Sequence, residues 1–230
     1  MAAGGYRDDF TARHWNAQAI QVVVHPPPAG LRPADELAFQ FFGRTMQITE
    51  WAELVGAPDD ARVDVAAANS NGGPAVEIRM HHRWLEGPAI RFVYRDAAGR
   101  LATRNEHLHI RDDAPEGVGT RIFAHQVRKA RLLGIVYLSA EAAGGPGSTM
   151  VGYSVWPKFG FNGAIPPSVR RKLPPEYQDA GDVLDLLSRP GGFEWWQRHG
   201  RGFEATFDLR NGSLSLATLA AYTDRRGVRI

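Results

Sequence analysis

The spacing of apolar residues divides the chain into stretches of different period. Residues 19–25 (AIQVVVH) form a short β-branched run stopped by Pro26, Pro27 and Pro28, which predicts a strand ending in a rigid turn. Residues 33–42 (PADELAFQFF) place a proline first, acids in the first turn and apolar residues at helical spacing, so a helix is expected. A second helix is predicted over 48–55 (ITEWAELV), with Thr49 as its N-cap. The period then shortens. In 75–84 (AVEIRMHHRW), Val76, Ile78 and Met80 alternate with Glu77, Arg79 and His81. With 89–94 and 100–110, short connections between them, this predicts an antiparallel meander of three strands. Residues 120–133 return to helical spacing: Ile122, Phe123, Val127, Ala130 and Leu133 share a face, and Gly134 stands where a helix ends. The apolar run 135–139 (IVYLS) follows as a strand, completing a strand–helix–strand unit in which two strands are expected to be parallel. Helical pieces are predicted at 182–187, 193–199 and 214–222, the last capped by Ser213, and a strand at 204–209.

Composition narrows the chemistry. No run of apolar residues approaches the roughly 18 needed to span a membrane. The opening 13 residues are polar and lack the apolar stretch of a signal peptide, so a cytoplasmic protein is the expectation. The chain has no cysteine, which excludes disulfides, thiolate metal sites and cysteine nucleophiles. Its 27 Lys and Arg against 25 Asp and Glu leave a net charge of +2, with the acids well mixed among the bases. Nucleic-acid binding is not expected, because it needs clustered positive charge. His81, His82, His107 and His109 could be brought together by neighbouring strands, yet no HxxxH pair or carboxylate triad accompanies them, so no metal is expected.

The informative stretch is 104–130, RNEHLHIRDDAPEGVGTRIFAHQVRKA. A strand runs into Gly117-Val118-Gly119 and a long helix starts at once. Glycine permits a backbone that approaches a ligand closely, and the first amides of a helix are unpaired donors with a dipole that favours an anion. A purely structural glycine turn is the plainer reading of the same three residues.

The order strand, two helices, antiparallel strands, EGVGT turn, helix, strand and then GYSVWPKFGF resembles the GNAT superfamily of N-acetyltransferases. The resemblance covers roughly 33–161, with 204–209 in the place of the last strand. It implies an α/β fold: a mixed, mostly antiparallel sheet with helices on both faces, a helical insertion over about 166–200 and a C-terminal helix. The whole chain, 1–230, is expected to be one domain, with its core at about 33–165 and 203–210. It also implies acyl transfer, most simply acetyl, from coenzyme A to a small amine or a peptide. A longer acyl group on a lysine side chain and a non-catalytic module that binds coenzyme A stand as alternatives. An oligomer is allowed.

Carried onto this chain, the resemblance implies Leu108, His109, Ile110, Gly117, Val118, Gly119 and Thr120 as the residues that hold acyl-CoA, with Arg121 as an additional donor. Two departures stand out: Ala114 occupies the place where the family's turn carries Arg or Gln, and Trp156 replaces its usual tyrosine before Phe159-Gly160-Phe161. Aminolysis of a thioester needs a base for the amine's proton and an acid for the departing thiolate. Glu106, on the strand before the turn, is the candidate base, and Tyr153 the candidate acid. Strict alternation would place Glu106, Leu108 and Ile110 on one face and Asn105, His107 and His109 on the other, so His107 or His109 is the alternative base. His107, Trp84 and Phe42 are candidates for the acceptor side.

Overall fold

The structure is a computed structural model and describes residues 8–230. The chain divides into two compact units, one of residues 1–136 with 223–230 and one of residues 137–222. The expectation of one domain draws no line at 136, because composition does not change there.

The first unit is α/β. Strand β1 (Gln21–Val24) leads into α2 (Ala34–Phe42) and α3 (Ile48–Val55), which return the chain to β2 (Arg62–Ser70). β1 and β2 are parallel, Val22 facing Val63 and Val24 facing Val65. β3 (Gly73–His81), β4 (Ala89–Arg95) and β5 (Leu101–His107) then continue antiparallel, giving the mixed, mostly antiparallel sheet that was expected. β2 is absent from the expectation, since its run RVDVAAANS is rich in alanine and ends in polar residues. A short first helix, α1 (Asp9–His14), was also unanticipated. α3 begins as expected, but its N-cap is Gln47, whose amide donates to Glu50 Oε2 at 3.0 Å, and not Thr49.

Registers define one buried face of this sheet. Val63 lies opposite Met80, Val65 opposite Ile78, Val76 opposite Val93, and Ile78 opposite Arg91. α4 (Val118–Leu132) covers that face: buried Gln126 exchanges two hydrogen bonds, 2.7 and 3.2 Å, with buried Asn105 of β5. The other face of β2 and β3 is polar. There Asp64 accepts from His25 at 2.8 Å and Arg62 at 2.9 Å, and Arg79 pairs with Glu77.

The second unit pairs β6 (Tyr137–Ala142) with β7 (Phe203–Asp208) antiparallel, Tyr137 opposite Asp208 and Ala142 opposite Phe203. Between them run α5 (Gly152–Val155), α6 (Pro167–Arg170), α7 (Val183–Ser188) and α8 (Gly192–His199), so the stretch before the last strand is helical. Val169, Leu173, Tyr177, Val183, Leu186 and Trp196 give that stretch an apolar interior. α9 (Leu214–Arg225) closes the chain, with Ser213 Oγ accepting from Leu216 N at 3.2 Å as its cap. The Phe159-Gly160-Phe161 ending is a packing feature: Phe161 meets Trp156 and Phe207, Phe159 meets Tyr222, and Gly160 fits where a Cβ would lie 2.3 Å from the Ser215 carbonyl oxygen.

Among the described residues no helix is long and apolar enough to cross a membrane, and no group of three or more His, Asp or Glu is placed to hold a metal ion.

Candidate functional site

β5 does not run straight into the glycine turn. Asn105 lies opposite Arg91 and His107 opposite Ile90, so Glu106 is the extra residue of a β-bulge. Bulges concentrate beside active sites, where they re-aim a side chain. The bulge also overturns strict alternation through this stretch. Ile90 and Arg91 point to opposite faces, and their partners His107 and Asn105 therefore do so as well. The Glu106 side chain is 48% exposed and accepts from Arg104 Nε at 2.7 Å.

Arg91 braces the bulge from below. It sits in the apolar run AIRFVY and is fully buried, with Nη1 donating to the carbonyl oxygens of Ile90 at 3.0 Å and His107 at 2.9 Å. Among the described residues its Nε and Nη2 have no hydrogen-bond partner, nor does buried Thr103 Oγ1. Burial without a counter-charge pushes the guanidinium down to about 9. Arg91 is not among the candidates that the sequence pattern singles out. A cation inside an otherwise apolar strand was the available signal.

Beyond the bulge the chain forms a single bridge, Leu85 opposite Ile110, closed by Glu86 N to His109 O and Arg111 N to Trp84 O, both 2.9 Å. Those bonds leave the amides of Leu108 and Ile110 without an acceptor among the described residues. α4 then starts behind Gly117, whose φ of 79° is left-handed and whose missing Cβ would lie 2.5 Å from Arg121 Nη1. The amides of Gly119 and Thr120 likewise have no acceptor among the described residues. Gly119 lies against Ile110: a Cβ there would meet Ile110 Cγ1 at 3.2 Å. Two pairs of unpaired donors, one on the segment that follows β5 and one on the helix, are thus joined by this contact.

The charged groups nearby are largely committed. Arg121 does not point at a ligand: it is 7% exposed, donates to Thr11 Oγ1 at 2.9 Å and pairs with Asp8 at 2.8 Å, fastening α1 to α4. Burial pushes the Asp8 carboxyl up, but the amides of Arg229 and Thr11 and the Arg121 guanidinium outweigh it and hold it far below the usual carboxylate range. Arg111 pairs with Asp113 at 2.8 Å. An anion at the start of α4 would therefore rely on backbone amides.

The remaining candidates are dispersed. His107 and His109 are exposed, their rings 6.4 Å apart, and His109 Nδ1 is 3.4 Å from Glu86. Trp84 is buried in an aromatic cluster with Phe10, His14, Trp15 and His82. Phe42 meets Trp51 at 6.4 Å, and no ring contact joins it to Trp84. Tyr153 belongs to the second unit, where it is buried and donates its hydroxyl to the Gln197 carbonyl at 2.9 Å, while Trp196 Nε1 donates to its own carbonyl at 2.8 Å. Any service as an acid requires that hydroxyl to leave Gln197. Compared with known proteins, the chain matches no family model and no curated sequence.

Proposed function

We propose that the protein is an acyl-CoA-dependent N-acyltransferase that passes an acyl group, most simply acetyl, to an amine. The observation that carries this reading is the pair of donor edges joined at Ile110 and Gly119. The amides of Gly119 and Thr120 at the start of a 15-residue helix suit a diphosphate, and those of Leu108 and Ile110 suit an amide-bearing chain lying along that segment. Acyl-CoA is a substrate with both parts. The bulge at Glu106 adds a carboxylate at the end of β5, just before these amides. The amine nitrogen attacks the thioester carbonyl carbon, the C–S bond breaks, the amine's proton passes to Glu106, directly or through water, and the sulfur leaves as a thiolate that takes up a proton.

A second reading, a domain that binds coenzyme A without catalysis, is favoured by the Glu106–Arg104 ion pair and by the Tyr153 hydroxyl held on Gln197. One experiment separates the two. Calorimetry with coenzyme A should give binding that Gly119→Glu weakens about tenfold or more, since a carboxylate would then replace Ile110's neighbour beside the phosphates. Thiol release from acetyl-CoA with a panel of amines and lysine peptides should follow. Binding without thiol release supports the second reading, and absence of binding by the folded native chain removes both.

A further inference from the structure

We infer a second ligand site on the first unit, between α3, α4 and β1, that takes a small organic monoanion with an apolar body. It does not rest on the acyltransferase reading. A cavity of about 420 Å³ opens there, within the size range of small-molecule sites. Its back wall is aromatic: the Trp15 and His125 rings stack 5.5 Å apart and only 2° from parallel. Trp15 Nε1 donates to the Gly56 carbonyl at 3.2 Å, which fixes the indole plane. Val22, Ile48 and Leu132 supply aliphatic sides, and Ile48 and Leu132 are 61% and 75% exposed, an apolar cost that a ligand would relieve.

The charges decide what kind of ligand. Arg128, Lys129 and Glu53 line the cavity, so the ionic lining sums to +1. Lys129 is committed, 2.9 Å from Glu50 and 2.7 Å from Glu53. Arg128 is exposed and makes no hydrogen bond or ion pair with any described residue. One available guanidinium beside a carboxylate already present suits a singly charged acid; a phosphate dianion would meet Glu53 without a second available cation. Nine residues of helix, about 14 Å, separate Arg128 from Gly119, so this cavity is not the helix start described above.

The probes are 3-phenylpropanoate, 3-phenylpropan-1-ol and 3-phenylpropylamine, titrated into the whole ¹⁵N-labelled chain to millimolar concentration. The acid should move the Trp15 indole and the His125 and Arg128 amides. The alcohol should bind about tenfold more weakly, and the amine should move none of them. Arg128→Gln should weaken the acid about tenfold and leave the alcohol unchanged; Thr49→Trp, which projects an indole from the rim, should abolish both. Both positions are exposed, and a dispersed spectrum verifies folding. Equal binding of acid and alcohol, indifference to Arg128→Gln, or no shifts from the acid would overturn the proposal. So would self-association that Thr49→Trp abolishes while the acid stays unbound, which would assign the cavity to a second copy of the chain.

Discussion

Replacing Arg91 with methionine should make the protein more stable and less active. The guanidinium is 0% exposed and lies among β-sheet apolar residues, and burial takes it well below its usual value, to about 9. At about 1.4 kcal/mol per pH unit, keeping this group charged in the fold costs about 5 kcal/mol. Two hydrogen bonds from Nη1, to Ile90 O and His107 O, offset part of that, and losing them would cost roughly 2–4 kcal/mol together. The unbranched apolar side chain of Arg91→Met fills much of the same volume, so a net gain of about 1–3 kcal/mol is expected, as at other buried ions replaced by apolar residues. For a chain of this size the melting temperature should rise by a few degrees. The pH dependence fixes the cause. The folded state holds Arg91's proton less tightly than the unfolded state, so wild-type stability is lowered fully below about pH 9 and recovers as pH rises above it. The advantage of Arg91→Met should therefore be constant from about pH 6 to about pH 8.5 and shrink at about pH 10. The bulge meanwhile loses its tie at His107 O, and a shift of about 1 Å in Glu106 should lower turnover by up to about 10²-fold. Urea titrations at several pH values provide the test. A methionine variant destabilised by more than about 1 kcal/mol, with no change in the difference at high pH, would refute the buried-charge account.

Glu106→Gln should leave stability within about 0.5 kcal/mol, because its ion pair with Arg104 is half exposed, yet lower turnover by about 10² to 10⁴, most at low pH where the amine is protonated. Near-normal turnover from about pH 6 to about pH 9 would transfer the base role to His107 or His109. Asp8→Asn should cost about 2–4 kcal/mol at pH 7, since it leaves buried Arg121 without its counter-charge, while the asparagine amide oxygen still caps α1. Asp8 titrates below its unfolded value, so its contribution is present above about pH 4 and fades as pH falls; a deficit unchanged at about pH 3 would contradict this. Tyr153→Phe should cost about 1–2 kcal/mol through the lost bond to Gln197, read by chemical denaturation. Unchanged stability with reduced turnover would instead make the phenol the acid.

Helices with strong periodicity were legible to within a residue or two. α2 and α3 follow apolar spacing closed by glycine, and α4 adds only Val118 and Gly119 to the expected start. The meander β3–β4–β5 was legible because alternation is its own signal. β2 was not: Ala66, Ala67 and Ala68 carry little strand preference, and what makes them a strand is pairing with β1 on one side and β3 on the other. Such pairing is tertiary and leaves no local mark. The α3 cap was misplaced for a related reason. Thr49 has the better capping side chain, but the position is settled by Glu50 reaching back to the Gln47 amide while it also holds Arg44 at 2.7 Å and Lys129 at 2.9 Å.

The site was legible in its backbone and illegible in its side chains, for a physical reason. A glycine turn between strand and helix states its own conformation, and Gly117 adopts the left-handed φ that this requires. Arg121 and Tyr153 look equally available in a sequence, where their partners cannot be seen: Asp8 lies 113 residues away from Arg121, and Gln197 lies 44 residues away from Tyr153. The bulge is similarly hidden, because one extra residue shifts every later side chain without altering the apolar pattern enough to be noticed. Arg91 differs from these. A charged residue between Ile90 and Phe92 contradicts the apolar run around it, and a chain that retains an uncompensated buried cation pays in stability for something that a methionine would not provide. Its one engaged nitrogen points at the two carbonyl oxygens that flank the bulge, so the conflict in the sequence marks where β5 is bent toward Glu106.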